Sequence, residues 1–126
     1  MNNQKFYICS HCGNIVGMIH DAGVPLMCCG QKMDVLVPNT VEASGEKHVP
    51  VAKVDDGKVK VNVGSVDHPM IPEHSIQWLY LETDKGGQRK VLQPGEAPYV
   101  EFALGDEKPL KVYAYCNLHG LWMAEL

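Results

Sequence analysis

Five cysteines are dealt unevenly along this chain of 126 residues: Cys9, Cys12, Cys28 and Cys29 crowd the beginning, and Cys116 stands alone near the end. An odd count cannot be closed into a purely disulfide framework, and thiols gathered this tightly in a reducing compartment bind metal or react. Two separate sites follow, one crowded with sulfur and one built around a single thiol.

Cys9-Ser10-His11-Cys12-Gly13 places two thiols on one tight turn, where backbone amides face the sulfurs and Gly13 suits the positive φ that such a knuckle takes. The second pair, Cys28 and Cys29, is adjacent. Neighbouring side chains on an extended segment point to opposite faces, so both sulfurs reach one metal only if the chain turns sharply there, with Gly30 supplying the freedom. A distorted tetrahedron of four thiolates accepts either zinc or iron. A bridge between adjacent cysteines is strained, which argues against a disulfide. His11 and His20 are read as surface residues, since a fifth ligand would overfill the tetrahedron. Residues 1–37 offer only short extended runs at 5–8, 14–20 and 33–37, too little to bury a core, so bound metal supplies their folding free energy.

Pro38-Asn39 breaks the chain, and 40–47 reads as a polar connector with a short helical turn. From 48 onward the pattern is short strands between turns. Residues 58–63 alternate polar and apolar and pair with 49–54 across Asp55-Asp56-Gly57 as a hairpin. Further strands are expected at 75–83, 88–92, 99–104, 110–115 and 121–125, with Gly86-Gly87, Pro94-Gly95 and 106–109 as punctuation. About seven short strands at this spacing, without an amphipathic helix, indicate a β-sandwich over 38–126. The net charge of −4 and scattered Lys and Arg disfavour nucleic acid as a partner. With no apolar run of membrane-spanning length and no leader-like segment, the chain is expected to be cytoplasmic.

Cys116-Asn117-Leu118-His119-Gly120 puts a thiol and an imidazole where both can reach one metal, although a single cysteine at a strand end also fits a small buried hydrophobe. The other histidines of this region sit at strand ends and loops as well: His48 before Val49-Pro50, and His68 and His74 at the two ends of a proline-stiffened loop. Four imidazoles and one thiolate exceed the coordination zinc prefers and suit a redox-active iron or copper, leaving one octahedral position open opposite the sulfur. Glu46 and Lys47 immediately precede His48. Lys47 could attract an anion and Glu46 could enter the open position, but on residues alone the pair reads more simply as solvated charges on a connector.

Together these motifs resemble the desulfoferrodoxins, the two-iron class of superoxide reductase: Cys9-x-x-Cys12 with Cys28-Cys29, Glu46-Lys47-His48-Val49-Pro50, His68-Pro69-Met70 with His74, and Cys116-Asn-x-His119-Gly. The resemblance spans nearly the whole chain. It implies an all-β architecture, a small desulforedoxin-like module at 1–37 followed by an immunoglobulin-like seven-stranded sandwich at 38–126. It implies two iron ions, one on Cys9, Cys12, Cys28 and Cys29, the other on His48, His68, His74 and His119 with Cys116 axial. It further implies one-electron reduction of superoxide to hydrogen peroxide, catalytic roles for Glu46 and Lys47, a rubredoxin-like electron donor and a homodimer. Two other readings stand beside it. One is a blue-copper electron carrier using His48, Cys116, His119 and Met123; the other is a zinc-stabilised binding module.

Overall fold

The computed structural model of the chain describes residues 4–126 and divides into two units, Met1–Val37 and Pro38–Leu126. Both are built of strands; among the described residues the helix α1 (Gly45–His48) is a single turn, and no helix is long and apolar enough to cross a membrane.

In the first unit β1 (Phe6–Ile8) lies between β2 (Ile15–Gly17) and β5 (Asp34–Val35), antiparallel to both. Phe6, Cys9 and Met33 are the buried apolar side chains among its described residues. So small a core cannot stabilise a unit of this size by burial alone. A second ladder, β3 (Met27–Cys28) with β4 (Gln31–Lys32), was not foreseen. Its connection is Cys29-Gly30, with φ of 53° and 73°. Positive φ at both residues of a two-residue loop is the signature of a type I′ hairpin turn. The sharp turn expected at Cys28-Cys29 is therefore a hairpin tip, with Cys29 itself in the left-handed region, which costs a non-glycine residue about 1–2 kcal/mol.

The second unit has seven strands in two sheets. β6 (Pro50–Asp55), β7 (Lys58–Val63) and β10 (Tyr99–Ala103) form one in the order β10-β7-β6. The other runs β12-β11-β8-β9, from β8 (Ile76–Thr83), β9 (Gly86–Val91), β11 (Pro109–Cys116) and β12 (Gly120–Glu125). The alternation in β7 sends Val59, Val61 and Val63 wholly inward. They meet Leu79, Leu81, Phe102, Val112 and Ala114 in a core that also contains Cys116. Asp56-Gly57 closes the first hairpin with φ of 52° and 72°, the same turn geometry as Cys29-Gly30.

Strand edges differ from expectation by a residue or two, most informatively at β9. Gly86 and Gly87, read as punctuation, lie within the strand and pair with Thr83 and Glu82. A β-carbon on Gly87 would collide with the Tyr80 ring, so the glycine admits a close cross-strand approach instead of breaking the strand.

One irregularity sets which residue lies opposite the single thiol. Along β11, Tyr115 pairs with Trp78 but Cys116 pairs with Ile76, so Gln77 is bulged out of the ladder. Residues of β8 change face at that point: Leu79 and Leu81 point inward at odd positions, and Ile76 points inward at an even one. Cys116 thereby keeps a buried apolar residue opposite it. Bulges commonly re-aim side chains at the rims of sheets beside functional sites.

Candidate metal centres

In the first unit the sulfurs of Cys9, Cys12, Cys28 and Cys29 lie within 4.8 Å of one another. Cys12 and Cys28 are 3.7 Å apart and Cys28 and Cys29 are 3.9 Å apart, and all five cysteines are free thiols. The knuckle brings the Cys12 N–H to 3.5 Å from the Cys9 sulfur, and Gly13 has a φ of 83°. That amide is the main reason the Cys9 thiol is held down at about 6. Cys29 is pushed up to about 12, chiefly by its contact with Cys12, and Cys28 is also raised, again chiefly by Cys12. Once one sulfur ionises its neighbours resist, because like charges in one cluster oppose further ionisation. Four thiols in this state form a donor set that a cation completes. His11 and His20 are both exposed and outside the cluster.

The second unit gathers its candidate ligands from four segments. Helix α1 supplies His48 from its last residue; the loop between β7 and β8 supplies His68 and His74; β11 ends on Cys116, and the turn into β12 carries His119. One ligand atom each from His48, His68, His74 and Cys116 falls within a 4.8 Å cluster. His119 joins it, its Nδ1 3.1 Å from His48 Nε2 and 3.9 Å from the Cys116 sulfur.

The four imidazoles form a square. Neighbouring ring centroids are 4.7 Å apart for His48 and His68, 4.6 Å for His68 and His74, 5.2 Å for His74 and His119, and 4.9 Å for His119 and His48. Each of these pairs meets edge to face, at 76° to 84°. Across the diagonal, His48 and His74 are 6.3 Å apart.

Two backbone carbonyls orient the rings. His48 Nδ1 donates to the Ser44 carbonyl and His68 Nδ1 to the Pro69 carbonyl, both at 2.7 Å. A carbonyl only accepts, so each Nδ1 carries the proton and each Nε2 presents a lone pair. Those two lone pairs face each other across 3.2 Å. Burial keeps both rings neutral, depressing His48 and bringing His68 down to about 4. His74 is likewise depressed by burial, and its Nε2 is buried without a hydrogen-bond partner. Burial also raises the Cys116 thiol, opposed by the N–H groups of Leu118 and His119. Converging lone pairs, an orphaned ring nitrogen and a buried thiol are costly without a cation and fit a transition metal that takes imidazole and thiolate together.

Glu46 and Lys47 are exposed on α1. Their charges reach the square: after burial and the His119 charge, Lys47 further disfavours protonation of His74, while Glu46 slightly favours protonation of His48.

Met123 does not belong to the site. It pairs with Tyr113, one residue out of phase with Ala114 and Cys116, so it projects from the opposite face of the sheet. The four-ligand copper reading loses its axial residue for that reason. Sequence reasoning missed the surrounding support: the carbonyls of Ser44 and Pro69, and Trp122. The Trp122 ring lies 4.8 Å from that of His48, tilted by 32°, and its indole N–H donates to the His119 carbonyl at 3.1 Å. No motif marks Trp122 in advance, because its role depends on β12 lying beside β11.

Comparison with known proteins matches the family model "Desulfoferrodoxin" over residues 40–125 and "Desulfoferrodoxin, N-terminal domain" over residues 1–36. The desulfoferrodoxin of Syntrophotalea carbinolica is 48% identical over 121 residues, covering 96% of this chain and 95% of its own. That of Nitratidesulfovibrio vulgaris is 44% identical over 124 residues, covering 98% of each. Among solved structures, the superoxide reductase from Treponema pallidum aligns with a TM-score of 0.83 at 42% identity, covering 98% of this chain and all of the other.

Proposed function

This chain belongs to the desulfoferrodoxin family, and from that premise we propose that it is a superoxide reductase with two iron ions, the second of which carries the reaction. The observation that supports this most directly is the square of imidazoles whose lone pairs converge beside the buried sulfur of Cys116.

In this reading Cys9, Cys12, Cys28 and Cys29 hold the first iron, and residues 1–37 form the module it stabilises. His48, His68, His74, His119 and Cys116 would hold the second iron, in a domain spanning 38–126. Iron held by these residues would supply the one-electron chemistry that superoxide reduction needs, and the Cys116 thiolate would raise the electron density of that ion.

The remaining work falls to the chain. Ser44 and Pro69 hold two rings in the tautomer that offers Nε2, the second-layer arrangement that raises ligand basicity and fixes ring direction. Lys47, exposed and close enough to influence His74, draws the superoxide anion toward the site of a protein whose net charge is −4. Its ammonium also orders a water through which a proton reaches the reduced oxygen. Glu46, exposed on the helical turn that ends in His48, would be available as a further carboxylate ligand. An external donor of the rubredoxin type returns the electron, the chain acts in the reducing cytoplasm, and two copies associate as a homodimer.

Metal and product analysis test this together. Protein purified without added metal is expected to contain about two irons per chain, and pulsed superoxide should yield hydrogen peroxide without dioxygen. One zinc and no iron, or dioxygen formed in step with peroxide, would defeat the proposal.

A further inference from the structure

Three of the four imidazoles have an evident restraint: His48 and His68 through their Nδ1–H bonds to carbonyls, and His119 within the short turn from Cys116 to Gly120, its carbonyl held by Trp122. His74 has none on its ring. Its Nε2 is buried and unpartnered, and its backbone exchanges two hydrogen bonds only with Ile71, at 3.1 Å each, within its own loop. With Nε2 free to face a metal and no hydrogen bond to the ring found among the described residues, the ring is placed through its backbone.

The geometry points to Asn117 as the positioning residue for His74. Its side-chain Oδ1 accepts from the Ser75 N–H at 3.0 Å, and its Nδ2 donates to the Glu73 carbonyl at 3.0 Å. Its own backbone N–H donates to the Ser75 carbonyl at 3.3 Å. Three bonds therefore grip the residues on either side of His74, and all three originate from the residue that follows Cys116. The amide's donor and acceptor are both needed, because Glu73 presents a carbonyl and Ser75 an N–H. Asn117 thus couples the loop that bears His74 to the strand that bears the sulfur, 42 residues away in sequence. The distance from His74 to Cys116 is set by this clamp and not by a bond to the imidazole. Outer-layer partners of this kind typically change metal affinity about 10–100-fold when removed.

The inference rests on the reading of His74 as an iron ligand, and the experiment separates the two. Iron-loaded full-length protein is mixed with excess ferrous chelator at 25 °C, and iron release is followed for the parent, His74→Ala and Asn117→Ala. The release phase accelerated by His74→Ala identifies the histidine-cysteine centre. Asn117→Ala is expected to accelerate that same phase about 10–100-fold, with the other phase unchanged and the far-ultraviolet circular dichroism unaltered. Hydrogen exchange at the Ser75 amide should rise in parallel. A merely structural role would lower the unfolding midpoint without changing release from the folded protein. Should Asn117→Ala fail to fold, Asn117→Asp, of the same shape but unable to donate to Glu73 when ionised, is expected to accelerate the same phase. Release rates equal to the parent in the folded variant overturn the Asn117 assignment alone; no phase responding to His74→Ala overturns the ligand reading and this inference with it.

Discussion

Trp122 offers the sharpest separation between packing and site construction. Its ring is buried, with 4% exposed, against His48, and its N–H holds the His119 carbonyl at 3.1 Å. Trp122→Phe keeps an aromatic ring over His48 but deletes that donor. A typical hydrogen bond contributes about 0.5–1.5 kcal/mol, and the His119 carbonyl is only partly buried, so the metal-free protein should lose about 0.5–1.5 kcal/mol. Trp122→Ala removes the ring as well and should cost about 3–5 kcal/mol. If the indole also places His119 and His48 for iron, the loaded protein loses more than the metal-free one, because affinity for the folded state adds to stability. A tenfold weakening of iron binding adds about 1.4 kcal/mol. Urea unfolding followed by circular dichroism, on metal-free and iron-loaded samples, measures both quantities. Equal losses with and without iron would reduce Trp122 to a packing residue, and a costless Trp122→Phe would refute the hydrogen-bond reasoning itself.

Lys47→Ala should slow the reaction with superoxide about tenfold at low salt and flatten its ionic-strength dependence, because electrostatic steering of this kind is screened over about 10 Å at 0.1 M; stopped-flow rates unchanged at low salt would remove Lys47 from the mechanism. Cys12→Ser should lower the iron content to about one per chain and abolish the four-sulfur absorption while superoxide reduction persists; loss of activity with the second iron retained would show that the centres act as one. The Tyr113 phenol is pushed above its ordinary range by burial and by the Glu82 carboxylate it donates to at 2.9 Å. The neutral phenol is therefore favoured by folding, so its contribution is complete below about pH 10 and is lost as pH rises toward the folded value. Tyr113→Phe should flatten the alkaline fall in stability, and an identical fall in the variant would contradict that assignment.

The parts of this protein that are local in sequence were legible as sequence. Two cysteines separated by two residues and followed by Gly13 suit a knuckle, and Asp56-Gly57 makes a hairpin because both residues tolerate positive φ. The alternation across β7 places three valines on one face because successive side chains of a strand point oppositely. The candidate ligands were legible too, since thiol and imidazole side chains are the natural donors for a transition metal.

What the tertiary structure alone decided is where those ligands meet and what holds them. His48 and His119 are 71 residues apart yet bring nitrogens to within 3.1 Å, a closure made by packing two sheets and not by any local preference. The bulge at Gln77 was invisible because strand periodicity does not announce a skipped residue, although it sets which side chain faces Cys116. Gly86 and Gly87 read as a turn because glycine's freedom is ambiguous until the neighbouring strand supplies Tyr80. Ser44 and Trp122 lie in no motif, and Pro69 and Asn117, although inside the motifs, do not disclose their orienting part there, because orienting a side chain depends on geometry and many residue types can do it. Chemistry is written in residue types, which the sequence states outright; convergence is a property of distances, which exist only once the chain has folded.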